Sequence, residues 1–522
     1  MLIKYDDLNR VLERIEILAK DDNKQTNLMF TLKDDDKLEI SFCAGRSNLF
    51  QTIPVSDVIT EDICDEYDTS KLVHAADLRE PLIMNYNKIK EVMTLFKATD
   101  TVKVSDITFC QTVKNGAVIP NSVSMSCEKT VNIIKKLPDN TETTEIQHVA
   151  SLNESIRWDD PNSSMKLKIY TRYPSSDAII PDDSDDVEYD TWGASELRDI
   201  LGKIIADKGR QTLISSARKV GFVYNPTYSI LVNIRKDSDS FHNTVIFDST
   251  SCSQIYNMLG KISGDIKLYV DEENHNCKIN SEDNDVLLSI TIPDANPTYI
   301  KSLNTYQNLK INDVQCTILR AVFTDIVKAI DKISNSGKSE SAAEAVIRCV
   351  PVVDPDETSK VLTKKVMRNG NEVEAQVYHS QIIFDNVKSA SGNSSNKMAI
   401  ELPTVRVAEG ELGIDVRDTT LEYKVKFSFA TLLKVLDKLK SDVLAIDIKY
   451  ENADKSNMTI RLAEVDLEAK GAANAKAVET IRAEHGLSDT EPVDLNEYLS
   501  NDDQLNSRED SLGIMGFVQV KL

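Results

Sequence analysis

The residue types that most often carry out catalysis or bind metal ions are few and scattered in this chain. Its six histidines never stand at the spacing of a metal-binding pair, and neither HExxH nor a cysteine–histidine zinc pattern is present. The sequence also lacks the glycine-rich phosphate loops and the GxSxG motif of serine hydrolases. We therefore predict a protein that is not an enzyme and that uses no metal or other cofactor. An enzyme whose carboxylates come together only on folding is an alternative that these motifs do not address.

The densest acidic stretch, residues 182–186, is interpreted as part of a solvated linker. A calcium loop needs a glycine at its sixth position and a glutamate at its twelfth, and this stretch has neither. Its polar, acidic surroundings are typical of a segment between domains. We place this linker at residues 176–189.

Cysteine usage and hydropathy predict a cytoplasmic protein. None of the eight cysteines forms a CxxC motif, so we expect buried, reduced thiols. No stretch approaches the about 18 consecutive apolar residues that a transmembrane helix needs. The first 20 residues form a charged, amphipathic segment unlike a signal peptide, and we expect no membrane partner.

The chain is strongly acidic, with 61 basic against 84 acidic residues and a net charge of −23. This balance argues against a protein that coats nucleic acid with its whole surface. It is compatible with a basic surface that is kept apart from an acidic remainder.

The most informative feature is a pattern that occurs three times. Each copy is a short strand, a polar residue that begins a helix, a helix of about three turns and another strand. The copies are separated by 164 and 177 residues. The predicted helix N-caps are Asn85, Ser251 and Ser428.

A second type of amphipathic helix opens each third of the chain and is followed by alternating, strand-like runs. In the middle third, Ser195 is the predicted cap. The fold class is therefore predicted to be α+β, with six half-units that pair into three similar domains. We expect these domains at residues 1–175, 190–308 and 309–522.

Both helix types carry basic residues on the sides that the apolar pattern leaves exposed. A solvated surface is the simplest interpretation for any one helix, but the same bias in six helices of an acidic protein favours a shared basic surface. The residues concerned are Arg10, Arg14, Lys88, Lys90, Arg198, Lys203, Lys208, Arg210, Lys261, Arg320, Lys328, Lys332, Lys434 and Lys438.

Three segments resemble the bacterial-type DNA sliding clamp, the beta subunit of DNA polymerase III. Residues 292–303, IPDANPTYIKSL, are similar to the Arg-Phe-Pro-Asp-Tyr segment of that family, with Pro297 and Tyr299 kept and the Phe and Asp replaced. Residues 427–462 resemble the last helix and strands of the third clamp domain. The C-terminus, 516–522, resembles the short apolar strand that ends these clamps in a basic residue and leucine.

The resemblance implies the DNA-clamp fold, in which two chains pair head to tail into a ring, with helices lining a central hole and sheets outside. It implies sequence-independent binding of double-stranded DNA and a homodimer. The implied partners are a replicative DNA polymerase and a clamp loader. The length and divergence of the chain suggest a large bacteriophage, and hence the cytoplasm of its host. A monomeric, clamp-like adaptor without ring closure is the alternative.

In this family, partner peptides bind an apolar cleft between the middle and third domains, where a pocket buries an apolar anchor and polar groups fix the peptide backbone. Insertions near residues 351–375 and 463–511 depart from the family, and the second is a candidate regulator of access to the cleft. The cleft residues implied by the resemblance are Thr227, Ser229, Pro297, Tyr299, Ser302, Val518, Val520 and Leu522.

Overall fold

The architecture comes from a computed structural model of the chain. Among the residues it describes, no helix combines the length and apolar character needed to cross a membrane. The predicted acidic run 182–186 and Leu522 lie outside the described residues. The described residues are 1–19, 27–34, 36–44, 46–56, 82–96, 102–115, 117–136, 142–157, 175–181, 187–225, 227–234, 242–311, 314–334, 342–351, 356, 359–360, 363–368, 371–376, 378–388, 395–400, 422–451, 457–488, 490, 493, 498, 509 and 511–521.

Single helices are separated by groups of strands along most of the described chain. The helices are α1 (Tyr5–Ala19), α2 (Tyr86–Leu95), α3 (Ala194–Ile204), α4 (Ser249–Leu259), α5 (Pro297–Gln307), α6 (Arg320–Ser334), α7 (Phe429–Lys438) and α8 (Leu467–His485), with a 3-10 turn at Ser175–Ala178. The strands up to residue 291 are β1 (Leu2–Lys4), β2 (Asn27–Asp34), β3 (Lys37–Ala44), β4 (Ser47–Pro54), β5 (Leu82–Asn85), β6 (Val102–Lys114), β7 (Ala117–Lys136), β8 (Glu142–Arg157), β9 (Asp190–Gly193), β10 (Gln211–Ser215), β11 (Val220–Tyr224), β12 (Ser229–Asn233), β13 (Thr244–Asp248), β14 (Asp265–Asp271), β15 (Asn276–Ser281) and β16 (Val286–Thr291). The later strands are β17 (Val314–Leu319), β18 (Ala342–Pro351), β19 (Thr363–Arg368), β20 (Asn371–Gln376), β21 (Tyr378–Lys388), β22 (Ser395–Ile400), β23 (Glu422–Ser428), β24 (Val443–Tyr450), β25 (Asn457–Val465) and β26 (Leu512–Lys521).

The order of elements confirms the predicted α+β fold built from repeated half-units. One strand, one helix and three strands recur as β1-α1-β2-β3-β4, β5-α2-β6-β7-β8, β9-α3-β10-β11-β12, β13-α4-β14-β15-β16, β17-α6-β18-β21-β22 and β23-α7-β24-β25-β26. The predicted insertions interrupt the last two copies. The first contains the hairpin β19–β20, and the second contains α8. Because β25 continues to Val465, the second excursion begins at residue 466 rather than 463.

Contacts divide the chain into two compact units, which do not coincide with the three domains expected from sequence. The first unit comprises residues 1–202, 215–218 and 237–294, and the second comprises residues 203–214, 219–236 and 295–522.

In the first unit, the four-stranded sheet combines strands of two half-units, and the eight-stranded sheet combines strands of four. One sheet runs β1-β6-β7-β8 and the other runs β5-β2-β3-β4-β16-β15-β14-β9. The first strand of a half-unit pairs with the strands of its neighbour, since β1 pairs with β6, β5 with β2 and β9 with β14. The two halves of the long sheet join where β4 pairs antiparallel with β16.

The second unit repeats this construction. One sheet runs β22-β21-β18-β23, and another runs through β10, β11, β12, β26, β25, β24 and β17. The first strands are again exchanged, because β17 pairs with β24 and β23 with β18. The long sheet is joined where the fourth strands β12 and β26 pair antiparallel.

Local sequence signals explain where the helices begin. Asn85 caps α2 as predicted, and its side chain accepts a hydrogen bond from the Lys88 N–H at 3.2 Å. The predicted cap Ser251 is wrong, because Asp248 accepts the Ser251 N–H at 2.7 Å and the helix begins earlier. The predicted cap Ser195 is likewise inside its helix, since α3 begins at Ala194.

Helices α7 and α5 lie on opposite faces of the long sheet in the second unit. Val435 of α7 lies directly above Gly516 of β26, where a Cβ atom would come within 2.1 Å of the valine Cγ1. The next residue along β26, Phe517, packs against Tyr306 of α5. Successive strand residues point to opposite faces, so the two helices are separated by the sheet.

Replacing Gly516 with alanine should destabilise the second unit by about 1–3 kcal/mol, because the added methyl group overlaps a buried valine on a packed helix. The matched control is Gly513→Ala in the same strand, where the nearest atom to a Cβ is 3.7 Å away. Urea unfolding followed by circular dichroism measures both midpoints. Equal midpoints for the two variants would contradict this packing.

Candidate functional site

Helix α5 lies on the sheet because its apolar residues share one face. Asn296 caps the helix by accepting the Thr298 N–H at 3.0 Å, and Pro297 occupies the first helical turn, where it needs no donor. Tyr299, Leu303 and Tyr306 are buried, at a spacing of four and then three residues. This face packs against β11 and β12.

An aromatic cluster ties α5 to two strands. Tyr306 stacks on Phe517 of β26 with ring centroids 4.5 Å apart, and Phe222 of β11 lies 6.2 Å from the same tyrosine. Tyr299 meets Tyr224 edge to face at 5.5 Å. Such pairs add to the free energy of burial and fix ring orientation, so the cluster forms an ordered apolar floor.

Ser229 lies at the centre of this cluster. It is 1% exposed and stands in register opposite both Tyr224 and Phe517. Burial raises the pKa of Tyr306 to about 12, and a hydrogen bond with Ser229 opposes this rise in part. The hydroxyl of Tyr306 is therefore protonated and available as a hydrogen-bond donor throughout the neutral range.

The turn between β11 and β12 borders the cluster. The Asn225 N–H donates to the Tyr228 carbonyl at 2.9 Å, and the buried Asn225 side chain accepts the Asp207 N–H at 3.1 Å. Thr227 is exposed in this turn. The Lys434 ammonium lies 5.9 Å from the centre of the Tyr228 ring, a cation–π distance.

The structure brings two of the predicted cleft residues into the aromatic cluster. Ser229 and Tyr299 belong to the aromatic cluster, Pro297 is exposed at the start of α5, and Ser302 is half-buried on the same helix. Val518 lies on the face of the sheet opposite Phe517, because side chains alternate along β26. It is 2% exposed and belongs to the core. Val520 continues that strand opposite Met458, and its side chain, like Leu522, lies outside the described residues.

Sequence reasoning missed Tyr224, Tyr306, Phe222 and Phe517, which build the floor of the site. The signal for Tyr306 is its position seven residues after Tyr299, on the same helix face. The alternation of Phe222 and Tyr224 indicates a shared strand face.

The basic residues of the first unit are mostly engaged by other groups. Arg14 is a correction, since it is 8% exposed and its guanidinium donates to the Lys261 carbonyl at 2.6 Å, at the end of α4. The Lys261 ammonium forms an ion pair with Glu13, the residue before Arg14, at 2.8 Å. Burial lowers the pKa of Arg14, with the nearby Arg10 acting in the same direction. Arg14 therefore joins two helices instead of facing solvent.

The other predicted DNA-facing residues of this unit also make ion pairs or ring contacts. Arg10 pairs with Asp7, Lys88 with Glu91 at 2.8 Å and Lys90 with Glu16 at 2.8 Å. The guanidinium of Arg198 lies 4.8 Å from the centre of the Tyr256 ring. These contacts reduce the local positive charge that the predicted basic surface presents here.

The second unit carries further exposed cations. Lys328 and Lys332 are exposed on α6, Lys434 is exposed on α7, and the two helices pack against each other. Lys438 is half-buried, and Arg320 donates to the Ser441 carbonyl at 3.1 Å.

Three predicted DNA-facing residues lie at or just beyond the end of α3. Helix α3 ends at Ile204, so Lys208 and Arg210 belong to the following turn, in which Gly209 adopts a positive φ of 77°. Lys203 is half-buried in the last turn of the helix. Among the described residues, no group of three histidine, cysteine or acidic side chains is placed to hold a metal ion.

Comparison with known proteins identifies the fold. No family model matches the sequence, and a search of curated proteins finds no match. The Helicobacter pylori beta clamp, solved with 5-chloroisatin, aligns over 100% of both chains with a TM-score of 0.52 and 13% identity. The beta subunit of DNA polymerase III from Thermotoga maritima covers 100% of this chain and 99% of its own with a TM-score of 0.52 and 10% identity. The corresponding subunit from Pseudomonas aeruginosa covers 100% of both chains with a TM-score of 0.51 and 9% identity. The chain has the fold of the bacterial beta clamps.

Tyr306→Phe should remove one late-titrating phenol. The pKa of Tyr306 is about 12 in the folded protein and about 10 in an unfolded chain. The contribution of the buried, protonated phenol to the free energy of unfolding is therefore complete below pH 10 and is lost as the pH rises toward 12. Tyrosinate absorbance and urea midpoints across this range measure the effect. The variant should lack one phenol that ionises near pH 12, and its stability should fall less than that of the unsubstituted chain as the pH rises. Loss of a phenol that ionises near pH 10 instead would contradict the burial of Tyr306.

Proposed function

We propose that this chain, which has the fold of the bacterial beta clamps, is a DNA sliding clamp that tethers replication proteins to duplex DNA. The observation that carries the proposal is the use of the fourth strands of the half-units. In the first unit β4 pairs with β16, and in the second β12 pairs with β26. Strands β8 and β22 are the remaining fourth strands of this kind, and in the described residues each is the outer strand of its four-stranded sheet.

Outer strands with unpaired backbone groups are templates for pairing with another chain. We propose that β8 of one copy pairs with β22 of a second copy, and that β22 of the first pairs with β8 of the second. The contact is heterologous and closes after two copies into a head-to-tail homodimer. A closed ring would hold DNA by topology, so the protein does not need the basic composition of a tight DNA-binding protein.

The two faces of the long sheet in the second unit are suited to different partners. On one face, α6 and α7 present Lys328, Lys332 and Lys434, which suit water-rich, sequence-independent contacts with phosphates. On the other face, the surface of α5 beside the aromatic cluster would receive an apolar side chain of a partner peptide. Thr227, Pro297 and Ser302 are the exposed or half-buried residues beside it. We infer that the replicative polymerase and the clamp loader dock here.

The proposal assigns the chain a binding role without catalysis. Its place is the cytoplasm, that of the host if the source is a bacteriophage. The division into three domains at 1–175, 190–308 and 309–522 is part of the proposal, with each junction bridged by paired fourth strands.

Replacing both Lys328 and Lys332 with glutamate should weaken binding to duplex DNA, because it repels phosphates from the α6 surface. The slope of log affinity against log salt should shrink by about 0.9 for each phosphate that the protein no longer neutralises. Fluorescence anisotropy with a labelled duplex at several salt concentrations measures both quantities.

The matched control is Lys301→Glu, since Lys301 is exposed on α5, on the other side of the sheet. It should leave DNA affinity and its salt dependence close to those of the unsubstituted chain. If Lys301→Glu weakens DNA binding as much as the α6 variant, the proposed DNA-facing surface is wrong.

A further inference from the structure

The excursion between β25 and β26, residues 466–511, begins and ends at the same place. Val465 pairs in register with Leu512, and the Asp466 N–H donates to the Ser511 carbonyl at 2.9 Å. Helix α8 starts directly after Asp466, whose carboxylate accepts the Ala469 N–H at 2.9 Å. Glu509 lies near the returning end of this excursion, three residues before β26.

Glu509 binds an arginine that is fully buried in the sheet. Arg461 of β25 has 0% exposure and donates to both oxygens of Glu509, at 2.6 and 2.7 Å. The same guanidinium donates to Asp447 at 2.7 and 3.0 Å and to the Leu309 carbonyl at 3.3 Å. These contacts engage Nε and both Nη nitrogens of the arginine, and the pair with Glu509 has the two-pronged geometry that guanidinium groups favour with carboxylates.

Charge distinguishes the two carboxylates. Asp447 is fully buried and already neutralises Arg461, whereas the Glu509 side chain is 18% exposed and adds a surplus negative charge. Glu509 is therefore held by its hydrogen bonds rather than needed to balance the buried cation. Another carboxylate could take its position and leave the Arg461–Asp447 pair intact.

This carboxylate site adjoins the aromatic cluster. Arg461 stands in register opposite Phe517, so both residues lie on the same face of the sheet. Phe517 stacks on Tyr306, and Leu309 follows α5 directly. A peptide that docks beside the cluster can thus present an acidic side chain to Arg461.

We propose that Arg461 is a carboxylate-binding site that Glu509 occupies within the same chain, and that an acidic peptide segment of a partner protein exchanges with Glu509. The exchange then selects partners that carry an acidic residue beside their apolar anchor. The identity of the partners as replication proteins rests on the proposed function, whereas the exchange itself does not.

The probe is a fluorescein-labelled peptide with the sequence of residues 505–513, which contains Glu509, and a second peptide with glutamine at that position. Binding to the full-length chain is measured by anisotropy for Glu509→Gln and for the matched control Glu484→Gln, an exposed glutamate on α8. We expect the glutamate peptide to bind Glu509→Gln at least about tenfold more tightly than the control variant or the unsubstituted chain. The glutamine peptide should not gain this affinity.

A second measurement uses the unsubstituted chain and so does not depend on the folding of a variant. Saturating glutamate peptide should accelerate amide exchange at Asp466, whose N–H bonds to Ser511 at the base of the excursion. The glutamine peptide should leave it unchanged.

Equal binding of the two peptides, or no gain in Glu509→Gln over Glu484→Gln, would overturn the exchange. Both variants are also tested for binding to duplex DNA. The unsubstituted chain is tested in the same way. If it does not bind duplex DNA, the clamp function is wrong, whereas a failed peptide exchange with DNA binding present counts only against the Arg461 site.

Discussion

Backbone hydrogen bonding decides this architecture, because no half-unit completes its sheet with its own strands alone. The first strand of a half-unit leaves to pair with its neighbour, as β1 does with β6 and β23 with β18. Fourth strands then become edges, and each edge must be paired or exposed. Pairing β4 with β16 and β12 with β26 joins half-units into long sheets. The same requirement, applied to β8 and β22, is the basis of the proposed ring of two chains.

Strand β26 shows how one element serves two surfaces. Gly516 has no side chain because α7 approaches to within contact of the strand on one face, and Phe517 carries the aromatic stack on the other. Arg461 on the neighbouring strand extends the second surface toward the excursion. The helix side with its lysines and the cluster side with its tyrosines are thus opposite faces of one sheet, which would let a protein of net charge −23 keep the proposed DNA-facing surface separate from the proposed partner site.

Sequence periodicity could predict the half-units, since the strand–helix–strand order depends on local apolar spacing. It could also place Asn85 as a cap. It could not show that Arg14 meets the carbonyl of Lys261, 247 residues away, because a basic residue on an amphipathic helix has the same pattern whether it meets solvent or another helix. It also could not fix the face on which Val518 lies, because a resemblance between segments does not set strand register, and a shift of one residue reverses the face. Arg461 carries no signal in the sequence, since only the fold brings Asp447 and Glu509 to it.

The solution mass tests the central claim most directly, because ring closure requires two copies joined through β8 and β22. Light scattering after gel filtration, at several protein concentrations, gives this mass without any partner protein or DNA. The account predicts twice the 58.3 kDa of one chain, with no larger species as concentration rises. A mass of 58.3 kDa at every concentration, or continued growth beyond two copies, would contradict a closed ring of two chains.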